Sequence, residues 1–312
     1  ECRSYQWNVK DDTVDYALLY ENRYDLLRKA KVRFFENVPQ EYWQFCEKEA
    51  DWLDDFALFM ALKEAHNGAQ WSEWERPLKF REAIAKAKDT YADEIDFWKM
   101  LQYLFFEQWC ELKNYANERG IRIIGDVPIY VAGDSVDVWT NPSQFYLDEN
   151  LEPIDVAGCP PDAFSADGQL WGNPLFRWDV MREDGYSWWT MRLRKMSTLY
   201  DVIRIDHFRG FDSYYAIPGK DTTARNGVWR NGPGMELFRA VEEKLGKLDI
   251  IVEDLGFLTP SVLQLVADSG YPGMKVVQFA FDSRDDSDYM PHNYDKHCVV
   301  YTGTHDNDTI LG

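Results

Sequence analysis

Three acidic side chains follow apolar, β-rich runs in this 312-residue chain: Asp206, Glu253 and Asp306. An apolar strand that ends in a carboxylate, repeated along the chain, predicts a (β/α) barrel with its active site at the carboxyl ends of the strands. Carboxylates that converge on one cleft are the groups that act on glycosidic bonds. We therefore predict that these three residues are catalytic.

Arg204 precedes Asp206 by two residues, so both side chains face the same way along a strand. The arginine would keep the carboxylate ionised and aimed, which a nucleophile at a sugar C1 requires. The alternative is a purely structural ion pair. The polar residues His207 and Arg209, crowded at the same strand end, favour a functional site.

Glu253 ends the apolar run IIVED. A glutamate that is partly desolvated at a strand end should have a raised pKa and can act as a proton donor. The alternative is that Glu253 and Asp254 simply begin a turn. Asp254 is expected to face the other way and to cap or brace the following loop.

His305 and Asp306 stand side by side after the last apolar run. Such a pair can hydrogen-bond adjacent hydroxyls of a sugar ring as the ring flattens in the transition state. A metal site is the alternative, but the five histidines supply no H-x-x-x-H spacing. The P-loop, GxGxxG and G-x-S-x-G patterns are missing too, so we expect no metal and no cofactor.

Four further residues are predicted to bind substrate. Asp126 ends another apolar run, where it either contacts substrate or holds neighbouring loops. Phe164 and Trp171 could stack on sugar rings, and Gln169 could hydrogen-bond hydroxyls. The alternative is a loop that packs on itself through its aromatic side chains.

The net charge is −20, which argues against nucleic acid or an anionic membrane as partner, whereas a neutral glucan is compatible with it. No apolar stretch reaches the ~20 residues that a membrane span needs. The five cysteines follow no disulfide or zinc spacing, which is typical of a cytoplasmic protein. The 13 Trp, 18 Tyr and 18 Phe include more rings than carbohydrate binding needs, so most must pack the core.

The hydrophobic period changes along the chain. Residues 12–118 carry apolar positions at helical spacing, so residues 1–119 are predicted to be a mainly helical insertion region. Residues 120–312 alternate strands with helices, which predicts an α/β barrel portion. A loop region is expected at 133–185 and helices at 187–199, 235–247 and 259–267. Strands are expected near 121–127, before 206 and 253, and at 274–282 and 298–303. Five strands are fewer than the eight of a closed barrel, so the chain is expected to be incomplete.

Several long motifs together resemble the amylomaltases, the 4-α-glucanotransferase or disproportionating-enzyme family of the α-amylase superfamily. The motifs are GDVPIYVAGDSVDVW, PPDAFSADGQLWGNP, RIDHFRGF, VEDLG, PGMKVVQFAF and YTGTHDNDT. They appear in the order of the family, and the resemblance covers residue 66 to the end.

The resemblance implies Asp206 as the nucleophile, Glu253 as the general acid/base and Asp306 as the transition-state stabiliser, with His305 beside it. It implies that Arg204 orients Asp206 and that Gln169 and Trp171 lie on a glucan-gripping loop.

The implied reaction is a retaining transfer of α-1,4-glucan segments from a maltooligosaccharide donor to an acceptor. An α-amylase-type hydrolase with the same three acids, an inactive glucan-binding fragment and a metal-dependent barrel hydrolase remain as alternatives.

Overall fold

The structure is a computed structural model that describes residues 4–5, 7, 12–162, 165–256, 258–281, 288–305 and 307–311. Asp306 and Phe164, two of the predicted site residues, lie outside the described residues. The chain forms two compact units, residues 1–109 and 110–312. The boundary expected from the change of hydrophobic period lies ten residues further along the chain than this division.

The first unit is helical because its apolar residues recur at helical spacing. Asp15 caps the first helix by accepting a hydrogen bond from the Leu18 N–H at 3.1 Å. Tyr42, Phe97 and Met100 belong to its buried core. Its helices are α1 (Tyr16–Glu36), α2 (Gln40–Lys48), α3 (Ala50–Ala65), α4 (Arg76–Lys79) and α5 (Ile84–Thr90), and α6 (Ala92–Asn117) begins in this unit and continues past residue 109. The prediction of a helical region at residues 12–118 is therefore confirmed.

The second unit alternates strands with helices. Its helices are α7 (Val136–Thr140), α8 (Trp178–Glu183), α9 (Ser187–Leu199), α10 (Met235–Leu245) and α11 (Pro260–Ser269). Its strands are β1 (Ile124–Val127), β2 (Asp155–Cys159), β3 (Gln169–Pro174), β4 (Val202–Ile205), β5 (Ser213–Pro218), β6 (Val228–Asn231), β7 (Ile250–Val252), β8 (Gly273–Val276) and β9 (Cys298–Tyr301).

Five strands are parallel, and three of them, β1, β4 and β7, contain or directly precede Asp126, Arg204, Asp206 and Glu253. They form one sheet in the order β1-β4-β7 and a second pair, β8-β9. Helices α9, α10 and α11 precede β4, β7 and β8 in the chain, as a parallel sheet requires. All five strands were expected from their apolar runs, and the structure confirms them. Because parallel strands end at the same edge, Asp126, Asp206 and Glu253 are delivered to one side of the β1-β4-β7 sheet.

A second, antiparallel sheet has the strand order β3-β2-β5-β6. Two of its strands and helices α7 and α8 occupy residues 133–185, so the expectation that this segment is only loop was wrong. Strands β2 and β3 are difficult to recognise in the sequence because they contain glycines and their pairing shifts register near Gly158. A Cβ atom on Gly158 would lie 2.1 Å from the Gln169 carbonyl oxygen, so close pairing of the two strands requires glycine.

The expected strand over residues 274–282 was wrong beyond Val276. The chain continues as a 3₁₀ helix over Val277–Phe281, and residue 282 lies outside the described residues. A short apolar run is compatible with either structure, since periodicity alone does not separate a strand from a buried helical turn. Within the described part of the chain, no helix is long and apolar enough to cross a membrane.

Candidate active site

Asp206 stands directly after β4, where its main chain continues the pairing with β1. Its N–H donates to the Val127 carbonyl at 3.0 Å. Its Oδ1 lies 2.9 Å from Nη1 of Arg204, which is two residues earlier on the same side of the strand. The Asp206 side chain is 42% exposed, so the carboxylate is held by the arginine and remains accessible to a ligand.

Asp126 holds the same guanidinium from the neighbouring strand. Asp126 and Arg204 are direct partners in the β1-β4 register, and Asp126 Oδ1 lies 2.7 Å from Arg204 Nη1. The Arg204 side chain is only 13% exposed. Two charge-assisted hydrogen bonds at the same atom hold Nη1 of this largely buried guanidinium in place between the two carboxylates. Asp126 therefore contributes to the position of Asp206 through Arg204.

Glu253 follows β7, and both of its carboxyl oxygens accept hydrogen bonds from the main chain. Oε2 accepts from the His207 N–H at 2.8 Å, and Oε1 accepts from the Leu255 N–H at 2.7 Å. Burial is the largest cause that raises the pKa of Glu253 to about 7, and the negative charge of Asp206 adds to it. The two N–H donors and Arg204 act in the opposite direction. The carboxyl can therefore be protonated near neutral pH, as a general acid must be.

His207 was not among the predicted site residues, although it follows Asp206 in the chain and its N–H donates to Glu253. Its backbone is left-handed, with φ of 52°, which an L residue adopts at a cost in strain. This turn ends β4 and directs the His207 N–H towards the Glu253 carboxyl, which accepts a hydrogen bond from it. Burial, reinforced by the charge of Arg209, lowers the pKa of His207 to about 4, so its imidazole is neutral at physiological pH. Its place next to Asp206 was the one signal available in the sequence.

Gln169 and Trp171 lie on β3 and reach the same region. The Trp171 Nε1–H donates to Oε1 of Gln169 at 3.0 Å. The indole packs edge-on against the imidazole of His207, with ring centroids 4.9 Å apart. Trp171 is 37% exposed, so part of its ring is accessible to a ligand that lies next to His207.

A cavity of about 380 Å³ contains Asp126 and Arg204 in its wall and also reaches His305. Its lining residues are Ile124, Gly125, Asp126, Arg204, Met274, Tyr301, Gly303, Thr304 and His305. The structure thus brings His305 to the same space as the Arg204 guanidinium.

Asp254 supports the start of β8, whereas it was expected to cap or brace the loop that follows β7. Its Oδ1 accepts a hydrogen bond from the Met274 N–H at 2.7 Å. The residue is buried, and this burial raises its pKa. Among the described residues, no group of three or more His, Cys, Asp or Glu side chains is placed to hold a metal ion.

Comparison with known proteins gives consistent results. A family model described as 4-alpha-glucanotransferase matches residues 2–312. The 4-alpha-glucanotransferase of Clostridium butyricum is 48% identical over 304 residues, which are 96% of this chain and 62% of that protein. The enzyme of the same description from Thermus thermophilus is 50% identical over 307 residues, which are 96% of this chain and 61% of that protein.

A solved structure is also similar to this chain. It is the amylomaltase from Streptococcus agalactiae in complex with acarbose, with a TM-score of 0.94 and 43% sequence identity. The similarity covers 98% of this chain and 63% of that one. The chain therefore spans somewhat less than two thirds of the length of the relatives that it matches.

Proposed function

The chain belongs to the 4-alpha-glucanotransferase family, and on that premise we propose that the protein transfers α-1,4-glucan segments between maltooligosaccharides. The observation that carries this proposal is the pairing of two unlike carboxyl groups. Asp206 is accessible and bound to Arg204. Glu253 is partly buried, and desolvation raises its pKa to about 7. Two carboxyl groups whose environments differ in this way are suited to the roles of nucleophile and acid.

In the proposed reaction, protonated Glu253 donates its proton to the glycosidic oxygen while Asp206 attacks C1 of the donor sugar. The bond from C1 to the leaving glucan breaks, and a glucosyl ester of Asp206 forms. Glu253, now ionised, removes the proton from the 4-hydroxyl of an acceptor glucan. That oxygen attacks C1, which rebuilds an α-1,4 bond and frees Asp206. A pKa near neutrality lets one carboxyl serve both steps.

The remaining site residues receive their roles from the same proposal. Arg204 orients Asp206, and Asp126 steadies Arg204. His305 lies on the cavity that includes Arg204, where it would bind sugar hydroxyls together with Asp306. Asp306, as transition-state stabiliser, and Phe164, as a stacking residue, lie outside the described residues, so their part in the proposal is supported by sequence resemblance.

The proposal extends to the architecture and the ligand. We infer that the five parallel strands belong to a (β/α)8 barrel, with residues 120–312 as its catalytic portion and residues 1–119 as a helical insertion region. The similar amylomaltase was solved with acarbose, which supports an oligosaccharide in the corresponding cleft. The described cysteines are free thiols, which supports a cytoplasmic location.

Hydrolysis is the second candidate function, because the 42% exposure of the Asp206 side chain also admits water. Transfer prevails only if the acceptor is held while water is excluded from the ester. Trp171 is our candidate for this shield, since it lies beside His207 at the end of β4.

The test is product analysis on maltotriose with the full-length protein. A transferase forms glucose together with oligosaccharides longer than maltotriose, whereas a hydrolase forms only shorter products. Asp206→Asn should reduce the rate at least ~10³-fold, as removal of a nucleophile does. Products no longer than maltotriose would refute the transfer proposal, and near-normal transfer by Asp206→Asn would remove Asp206 from the mechanism.

A further inference from the structure

Met274 contacts the guanidinium that holds Asp206. It is the second residue of β8, and it is 2% exposed. The Arg204 Nε–H donates to the Met274 sulfur at 3.2 Å. The reaction proposed above gives this methionine no role. A thioether is a weak acceptor, but the distance is that of an N–H···S hydrogen bond, so the contact has a direction that packing alone does not give.

The position of the sulfur is set by the main chain of β8. The Met274 N–H donates to Oδ1 of Asp254 at 2.7 Å. A Cβ on Gly273 would lie 2.4 Å from Oδ2 of Asp254, so the strand and this carboxylate are in close contact. On the other side, Met274 pairs with Val299 of β9. The methionine therefore projects from a strand whose start is fixed on both sides.

The contact acts on a different edge of Arg204 from the one that binds carboxylates. Nη1 meets both Asp126 and Asp206, and contacts at this one atom leave the guanidinium plane free to tilt. Nε is close to the other end of the same rigid plane. A partner at Nε therefore defines the tilt and with it the direction from which Nη1 meets Asp206.

We propose that Met274 is a positioning residue for the nucleophile, which acts by holding the guanidinium plane of Arg204 at Nε. The inference rests on the proposed function, because it takes Asp206 as the group that attacks C1. Met274 itself touches no reacting atom in this scheme.

The experiment is a double-mutant cycle between Met274→Leu and Arg204→Lys in the full-length protein. Leucine preserves most of the volume and removes the acceptor, and lysine preserves the charge and removes the Nε–H. The readout is kcat/KM for α-maltotriosyl fluoride, whose leaving group needs no proton, so that formation of the ester by Asp206 is measured. We expect Met274→Leu to lose about tenfold with Arg204 present and less than twofold in the Arg204→Lys background.

Two further variants keep the test decisive. Met181→Leu changes another fully buried methionine, in α8, and should leave kcat/KM unchanged. Met274→Gln supplies a carbonyl oxygen to Nε and should recover most of the loss. If the leucine variant does not fold, Met274→Ile also removes the acceptor and takes its place in the cycle.

The outcomes separate the two proposals. An equal loss in both Arg204 backgrounds would show that Met274 is only part of the core and would overturn the inference. Wild-type activity of Met274→Leu would also overturn it. A wild-type protein that does not turn over the fluoride would refute the proposed function itself.

Discussion

The protonation state of Glu253 predicts how the rate of the first step, the formation of the glucosyl ester, depends on pH. The pKa of this carboxyl is raised from 4.5 to about 7, and the shift corresponds to about 3 kcal/mol. The protonated fraction is then about one half at pH 7 and about one tenth at pH 8. We expect kcat/KM for maltotriose to fall with a midpoint near pH 7 and to decrease about tenfold per pH unit above it.

The comparison donor is α-maltotriosyl fluoride. Fluoride leaves without protonation, so its kcat/KM should not show this decrease. A decrease of the same size and midpoint for both donors would assign the ionisation to another group and refute the reasoning. So would a midpoint for maltotriose below pH 6, since it would mean that burial does not raise the pKa of Glu253.

Asp254→Asn is the matched control, because the neighbouring carboxyl is also buried and its pKa is also raised. Asparagine retains an oxygen that can accept from the Met274 N–H. The variant should therefore keep the midpoint near pH 7 if Glu253 is the titrating acid. A midpoint that disappears in Asp254→Asn would transfer the assignment to Asp254.

The same shift predicts how the stability of the folded protein depends on pH. The folded state binds the Glu253 proton more tightly than the unfolded chain does. The contribution of Glu253 to the free energy of unfolding is therefore lost as pH rises from 4.5 through 7. The wild type should become less stable, relative to Glu253→Gln, by about 3 kcal/mol between pH 4.5 and pH 8. Denaturant unfolding at the two pH values measures it. A pH-independent difference would contradict the shift, whereas any fixed effect of the amide cancels.

The remaining predictions concern the aromatic shield and the support of β8. Trp171→Ala should raise the ratio of hydrolysis to transfer on maltotriose severalfold, because water gains access to the ester, and Trp171→Phe should raise it less since a ring remains. An unchanged ratio in Trp171→Ala would count against the shield. Gly273→Ala would place a Cβ 2.4 Å from Oδ2 of Asp254 and should cost about 2 kcal/mol of the free energy of unfolding. Gly133→Ala, whose Cβ would meet Pro174 at an ordinary 3.8 Å, should be close to neutral in the same denaturation experiment.

The parallel strands could be predicted because each carries its own signal: an apolar run that stops at a polar or acidic residue. Strand β5 carries a buried apolar run, Tyr214 to Ile217, but this run ends at Pro218 and Gly219 with no polar or acidic side chain directly after it. Strand β6 carries no apolar run, and with Trp229 46% exposed it does not have the pattern of a buried strand. Their pairing depends on partners far away in the chain, which local sequence does not show.

The site was predictable at the level of which carboxylates end which strands. Its finer geometry was not, because it depends on relations between strands. The contact of Arg204 with Asp126 follows from the β1-β4 register, and the hydrogen bond from His207 to Glu253 depends on a left-handed backbone at a residue that is not glycine. A sequence pattern indicates neither a register nor an unusual φ angle.

The two donors to the Glu253 carboxyl belong to peptide groups, and this limits how the pH dependence of the proposed activity can be changed. Ordinary side-chain replacements leave a peptide N–H in place. Proline would delete it, but its ring fixes φ near −65°, far from the 52° found at His207. A protein engineer who wishes to move the working range without replacing Asp206 or Arg204 must therefore alter how much water reaches Glu253.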